Sequence, residues 1–501
     1  MRTKRTLLNM IFSVISLLIS SVLTILLTRT VLVYLGSDYN GLNGTITQFL
    51  SVLMLFESGF TVAALVKLYK PFGEDDYGEI NRILSKTKIK FRQIGWLMLF
   101  CGSVAAAVYA LFIKTEVDYI IVVLMFLCSI GSTAFNFLYT YKYRLLFQVS
   151  QTEYIIYIVN IVQYVIMYSG MMVILATTKN IVFARAFYLL ANILAGLAIG
   201  FIARRKFKKA DYSVECNGIV IEGTKDLFIS RLVGICYNSL TFFYMAVFVG
   251  TSQTSIYTVY NSVMSLIHNF SNVALNAPQN ALGQILNSEK QRVKKTLDEY
   301  EYTSVLIISI LLSVTMALYI PFIKLYTADV TDANYIQPEI ALLLVLITLT
   351  QMIHIPSGKC IELSGKFKVV KTIQIITFVS LLILSMAGAL IKGLMGLLIA
   401  KLITNIILAS VEIGYAHIKV VEKSLKRFLL ILCPNIAIAA TLAFVEYKLM
   451  FSIEVTIIRF LICGILLLMV NSLVLVGFGR VFYSEVIKSL FNRVKFMIIR
   501  K

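Results

Sequence analysis

The sequence predicts an all-α polytopic membrane protein: about fourteen transmembrane helices, arranged as two pseudo-symmetric six-helix lobes plus an extra helix pair. Three observations carry that expectation. Apolar residues make up 59% of the 501 positions and charged residues 14%, against about 45–50% and about 25% in soluble domains. The mean hydropathy of +0.85 holds over the whole length, so the apolar residues form nearly the entire chain and not a single anchor. Lys and Arg, finally, collect in alternate gaps between the apolar runs, the pattern of a chain that crosses a bilayer back and forth. This composition excludes a soluble enzyme, and no gap longer than about 25 residues is left for a folded soluble domain.

A helix needs about 20 apolar residues to cross roughly 30 Å of hydrocarbon with every backbone group paired inside the segment. Fourteen runs qualify: 7–33, 42–66, 93–113, 119–141, 155–176, 181–203, 227–249, 256–286, 303–325, 340–360, 373–391, 394–416, 428–450 and 456–479. The first follows Met1-Arg2-Thr3-Lys4-Arg5 but far exceeds the roughly 7–15 residues of a signal-peptide core, so it reads as a span. With the N-terminus inside, 35 of the 46 Lys and Arg lie in cytoplasmic segments, five (Lys114, Lys179, Lys324, Lys392, Lys448) lie on the outer side, Lys324 and Lys448 in the last turn of their spans, and the remaining six lie within spans. The formal charge of +20 is thereby mostly topology, and nucleic acid is not an expected partner. Both termini are expected in the cytoplasm.

The inner connection 204–226 is basic and follows six spans, so it marks the boundary between an N-terminal lobe (1–203) and a C-terminal lobe (227–427); spans 13 and 14 (428–479) form an appended pair. A shift of 214 residues lays Gly36, Ser51, Phe56 and Leu68 on Gly250, Ser265, Phe270 and Leu282, as expected for parallel repeats facing each other about the membrane normal. The tail 480–501 places Val486, Ile487, Leu490 and Val494 at helical spacing beside Lys488, Arg493 and Lys495. It reads as an amphipathic helix on anionic inner-leaflet lipids. The seven cysteines form no CxxC pair and six fall in apolar runs, so they read as buried fillers and not as metal ligands or disulfides. Pro278, Pro321, Pro356 and Pro434 interrupt helical runs, where bends or broken helices are expected.

No catalytic constellation is visible. The phosphate-loop pattern fails at both Gly358-Lys359-Cys360 and Gly365-Lys366-Phe367, and His268, His354 and His417 have no metal-ligand spacing. No cofactor or metal is expected. Ionisable residues inside spans are what remains, and each costs several kcal/mol unless it meets a cavity or a partner. Arg185 and Arg459 lie near the outer ends of their spans and Arg231 and Lys359 near inner ends, all within snorkelling reach. Arg29 lies late in span 1. Lys401 and His268 lie deeper, and Glu57 is roughly 22 Å from the outer start of span 2 at about 1.5 Å per residue. The candidate substrate-contacting residues are therefore Arg29, Lys401, His268 and Arg231, with Glu57 as a coupling or cavity-lining group, in a cavity between spans 1, 2, 7, 8 and 12.

Specific strings add a family likeness. Arg29 ahead of Leu35-Gly36, then Tyr39-Asn40-Gly41-Leu42-Asn43-Gly44, and Leu68-Tyr69-Lys70-Pro71 leading into an acidic loop, resemble the N-terminal hairpin of bacterial polysaccharide flippases of the Wzx type. These belong to the multidrug/oligosaccharidyl-lipid/polysaccharide exporter superfamily. The stretch 238–267, the string Asn280-Ala281-Leu282-Gly283-Gln284 and the turn 393–400 are similar to that family's second half. The chain departs from the pattern at Leu240-Thr241, where related proteins often carry an Asp, so a shared ion-coupling carboxylate is not expected there. The resemblance implies a substrate of oligosaccharide on undecaprenyl pyrophosphate, moved from the inner to the outer leaflet of the bacterial cytoplasmic membrane by alternating access without ATP, in concert with a polymerase and glycosyltransferases. An anionic headgroup suits the set Arg29, Glu57, Arg185, Arg231, His268, Lys359, Lys401, Glu412 and Arg459, six basic and two acidic. The competing expectations are a cation-coupled multidrug exporter of the same superfamily, disfavoured because span 1 has no carboxylate, and a membrane scaffold of a polysaccharide assembly complex.

Overall fold

The computed structural model describes residues 2–54, 60–216, 225–285, 290–451 and 456–484. Its regular structure is helical throughout the described residues, and contacts divide the chain into two compact units, Met1–Ser255 and Ile256–Lys501. The first unit contains α1 (Arg2–Leu35), α2 (Ser37–Leu53), α3 (Phe60–Gly73), α4 (Tyr77–Ala110), α5 (Tyr119–Phe135), α6 (Tyr141–Val149), α7 (Tyr154–Thr178), α8 (Ile181–Lys206) and α9 (Lys225–Tyr244). The division falls early in α10 (Thr251–Ile285); the second unit continues with α11 (Lys290–Tyr326), α12 (Pro338–Ile353), α13 (Ile355–Leu363), α14 (Phe367–Tyr415), α15 (Leu425–Phe451) and α16 (Ile457–Phe482).

Eleven described helical segments are long and apolar enough to cross a bilayer. One of them, Phe367–Val421, is two helices joined at a kink where Lys392 and Gly393 leave helical geometry, which separates the expected spans 373–391 and 394–416. The other two of the fourteen expected runs coincide with the α2 and α3 pair, separated by residues outside the described set, and with the polar-rich α10. Leu18, Phe100, Ile120, Phe183, Leu390 and Leu473 are exposed, as side chains facing lipid should be. The protein is a multi-pass membrane protein.

Several expectations change in detail. The connection 67–92, between the second and third expected spans, is helical apart from a turn at Glu74–Asp76: α4 starts at Tyr77, where Asp76 accepts a hydrogen bond from Glu79 N at 3.1 Å. Hydropathy measures the bilayer thickness, whereas the helix runs on into water, carrying the basic residues with it. Pro278, Pro321 and Pro434 sit inside continuous helices. Among the described prolines the break falls at Pro356, in the first turn of α13, just after α12 ends at Ile353. Cys101 and Cys433 are exposed and only Cys360 is buried, so most cysteines are not core fillers. The tail beyond residue 484 lies outside the described residues.

In the first unit α2 packs on α9 and α5, and α1 on α7. Phe49 of α2 meets Phe126 of α5 edge-on at 5.1 Å. In the second unit α11 is the central element, packed by α12, α15 and α16. Its Tyr319 hydroxyl donates to Tyr260 O at 2.6 Å, and the Tyr260 hydroxyl donates to Tyr335 O at 2.8 Å, which ties the connection before α12 to α10.

Candidate translocation site

The turn that begins the quoted N-terminal motif is set by Gly36, whose φ of 88° lets α1 end and α2 begin within one residue; Gly250, its mate under the 214-residue shift, has φ 115° and does the same before α10. The repeat relation read in the sequence thus has a backbone counterpart. The motif residues then hold α2 against the start of α10. Asn40 Nδ2 donates to Ser255 Oγ at 2.7 Å, and the Thr251 hydroxyl donates to the Asp38 carboxylate. Gly41 lies so close that a Cβ there would sit 1.9 Å from the Thr251 carbonyl oxygen. Gly41→Ala is expected to lower stability by about 1–3 kcal/mol through overpacking. The check is thermal unfolding in detergent against Gly234→Ala, a position with nothing within 4 Å of the added methyl, which should not lower the midpoint.

Asn43 of the same motif faces Arg185 of α8. The guanidinium donates to Asn43 Oδ1 and to Ser129 Oγ of α5, the latter at 3.1 Å, and lies 5.8 Å from the Tyr188 ring centre. Arg185 is only 9% exposed, so the snorkelling expectation does not hold. Depth along a span says how far a charge lies from water but not which face it occupies, and this face points at acceptors on two other helices.

In the second unit His268 of α10 lies 3.1 Å from Gln351 of α12 through Nε2, and Lys401 lies on α14. Lys401 is 5% exposed. It belongs to a polar stripe at helical spacing, Lys401, Asn405 and Glu412, all buried on α14. At the C-terminal end of that stripe Glu412 Oε2 meets His354 Nδ1 at 2.7 Å, at the junction of α12 and α13.

Arg29 is half-buried on α1. Arg231 lies in α9, its side chain outside the described set, and Glu57 lies outside the described residues altogether. Lys359 is half-exposed and paired with Glu362 at 2.7 Å, and Arg459 is exposed at the start of α16; both agree with the snorkelling expectation.

Reading the sequence missed a second buried charge cluster. Asp298 of α11, 3% exposed at its side chain, pairs with Lys423, while Arg427 Nε lies 3.3 Å away on the solvent side. One turn on, Glu301 Oε1 lies 3.3 Å from His417 Nε2, both fully buried, and accepts from Ser357 Oγ at 3.4 Å. His417 sits in a π-helical segment, Ala416–Val421, and its Nδ1 faces Ile413 O at 3.0 Å. The sequence signal was three acids within four residues, Asp298, Glu299 and Glu301, and it was passed over because those positions were assigned to a cytoplasmic connection.

No protein-family model matches the chain, and no curated protein matches it. Among solved structures, the lipid II flippase MurJ in its inward closed conformation superposes with a TM-score of 0.68 at 17% identity, covering 95% of this chain and 100% of that one. The chain shares the fold of that structure. An inward-facing multidrug resistance MATE family transporter of the MOP superfamily superposes with a TM-score of 0.64 at 12% identity, over 81% of this chain and 98% of the other. A mutant of the Vibrio cholerae MATE transporter VcmN gives 0.55 at 14%, over 85% and 99%. The likeness is one of fold.

Proposed function

We infer that the chain is a MOP-fold transporter that flips a lipid-linked oligosaccharide, an undecaprenyl-pyrophosphate repeat unit, from the inner to the outer leaflet of a bacterial cytoplasmic membrane for polysaccharide biosynthesis. Alternating access of its two lobes, 1–203 and 227–427, moves the substrate without ATP hydrolysis. The observation that carries this reading is the buried Lys401. A lysine removed from water in a membrane-embedded unit is expensive to maintain, and an anionic headgroup offsets that cost by charge-assisted hydrogen bonds. Arg29 and Arg231 supply further positive groups, and Glu57 couples or lines the path. A cation-coupled drug exporter would call for a carboxylate in span 1, and that span has none. Deleting the gene in its native host should leave the lipid-linked oligosaccharide in the inner leaflet. Normal export of the polysaccharide after deletion would refute the reading.

The orientation is tested separately. The basic partition puts the exposed Asp76 and Ser213 in the cytoplasm and the exposed Lys179 and Asp332 outside. Single-cysteine variants of a cysteine-free background should label with an impermeant maleimide in intact cells at the latter two positions only. Asp38 and Thr251 are unsuitable probes of the outer side, since they are hydrogen-bonded to each other and Thr251 is 1% exposed.

A further inference from the structure

The first unit contains a cavity of about 420 Å³ where α4, the first half of α6 and the end of α8 meet the segment 207–213. Four cations line it: Lys88, Lys142, Arg204 and Lys208. This is the end that the count of basic residues assigns to the cytoplasm.

The cavity is built and not left over. Asn81 clamps the returning segment from both sides, accepting from Asp211 N at 2.9 Å and donating to Lys209 O at 3.2 Å. Tyr212 is thereby laid against Tyr143, the rings edge-on at 5.4 Å. The Lys142 ammonium lies 4.9 Å from the Tyr143 ring centre and 5.7 Å from that of Tyr212, which orients a charge without neutralising it. Arg204 donates from Nε to the Tyr143 hydroxyl at 3.1 Å, leaving both terminal amino groups for a bidentate partner. Lys88 donates to Tyr212 O at 3.3 Å.

The acid of the lining is Asp211. Its carboxylate accepts from both the Ser213 amide and the Ser213 hydroxyl, and these bonds hold it below the usual carboxylate range. Among the described residues no ion pair joins it to any of the four cations, so the lining keeps an excess of three positive charges. A positive-inside bias requires basic residues on this side of the membrane. It does not require that four of them converge on one cavity, two of them against tyrosine rings, under a segment clamped in place.

We propose that this cavity binds a phosphate-bearing anion, with Arg204 gripping two phosphate oxygens and Lys88, Lys142 and Lys208 supplying the remaining charge. The shared chemistry is the phosphate oxyanion. Its source is either the headgroup of an anionic phospholipid, for which basic pockets between helices on this side are suited, or a soluble phosphate. The site is separate from the transport path inferred above and does not depend on it.

The full-length protein, purified in detergent, is tested with two probes. The first is native mass spectrometry after exchange into cardiolipin or phosphatidylcholine; the second is thermal unfolding with inorganic phosphate. Wild type should retain cardiolipin over phosphatidylcholine, and the Lys142→Ala/Arg204→Ala variant should lose at least about tenfold of that preference, as removal of two charge-assisted contacts implies. Lys90→Ala, an exposed basic position outside the cavity, should leave it unchanged. Lys208→Gln, which removes one lining charge and leaves the Asn81 clamp and the tyrosine contacts in place, should weaken retention in part and serves if the double variant does not fold. Stabilisation by phosphate in wild type alone, without cardiolipin preference, assigns the site to a soluble phosphate. Equal behaviour of wild type and cavity variants toward both probes overturns the proposal.

Discussion

Alanine at Asp298 should destabilise the second unit by roughly 3–5 kcal/mol, because it strands the Lys423 ammonium in a site from which water has been removed. The side chains are 3% and 10% exposed, so solvent screens little of the interaction. Arg427, at 58%, adds little. The loss belongs to the broken pair and not to the pair's net worth. Replacing both partners together, Asp298→Ala with Lys423→Met, should therefore recover much of it, since an apolar pair has no charge to desolvate. Thermal unfolding of the four proteins of the double-mutant cycle measures this. A coupling near zero would show that the pair does not hold α11 to the segment after α14.

The second large effect is expected at Lys401. If its ammonium meets the pyrophosphate, Lys401→Ala leaves anionic oxygens unpaired in a low-dielectric space, at roughly 2–5 kcal/mol by analogy with truncated buried charge pairs, or at least about tenfold in substrate affinity. Arg29→Ala should act likewise, and Arg29→Lys should restore only part, since the charge returns without the planar fork. Glu57→Gln should change the pH or ion dependence of transport more than substrate binding. If Lys401 and Arg29 only hold helices together, the alanine variants will fold poorly or transport normally. Well-folded variants with undiminished transport would remove both residues from the site.

The contrast between Lys401 and Arg185 shows what a linear reading resolves. Both are basic residues in apolar runs and both are buried, yet depth singled out Lys401 and dismissed Arg185. Distance from a span end is written in the sequence; the partner across the interface is not, and Arg185 finds Asn43 and Ser129 from positions 142 and 56 residues away. The helical stripe of Lys401, Asn405 and Glu412 was in principle readable, because polar residues recurring on one face of an apolar helix announce a polar neighbour. Asp298 and Glu301 were hidden for the opposite reason: hydropathy ends a span at the hydrocarbon boundary, while α11 continues from Lys290 and buries its acids beyond that boundary. Fold class was more legible, since the apolar runs and the alternation of basic gaps are properties of the whole chain and survive local misplacement. The glycine turns at 36 and 250 were legible as a repeat, although the close approach at Gly41 needed the neighbouring helix to be seen.

The central claim is tested most directly with the purified chain in proteoliposomes loaded in one leaflet with undecaprenyl-pyrophosphate oligosaccharide, its appearance in the other leaflet followed with an impermeant sugar-modifying enzyme. The account predicts movement without ATP that responds to an imposed ion or substrate gradient and falls at least about tenfold in Lys401→Ala at limiting substrate. A strict ATP requirement, or no movement by a well-folded protein under any imposed gradient, would contradict it.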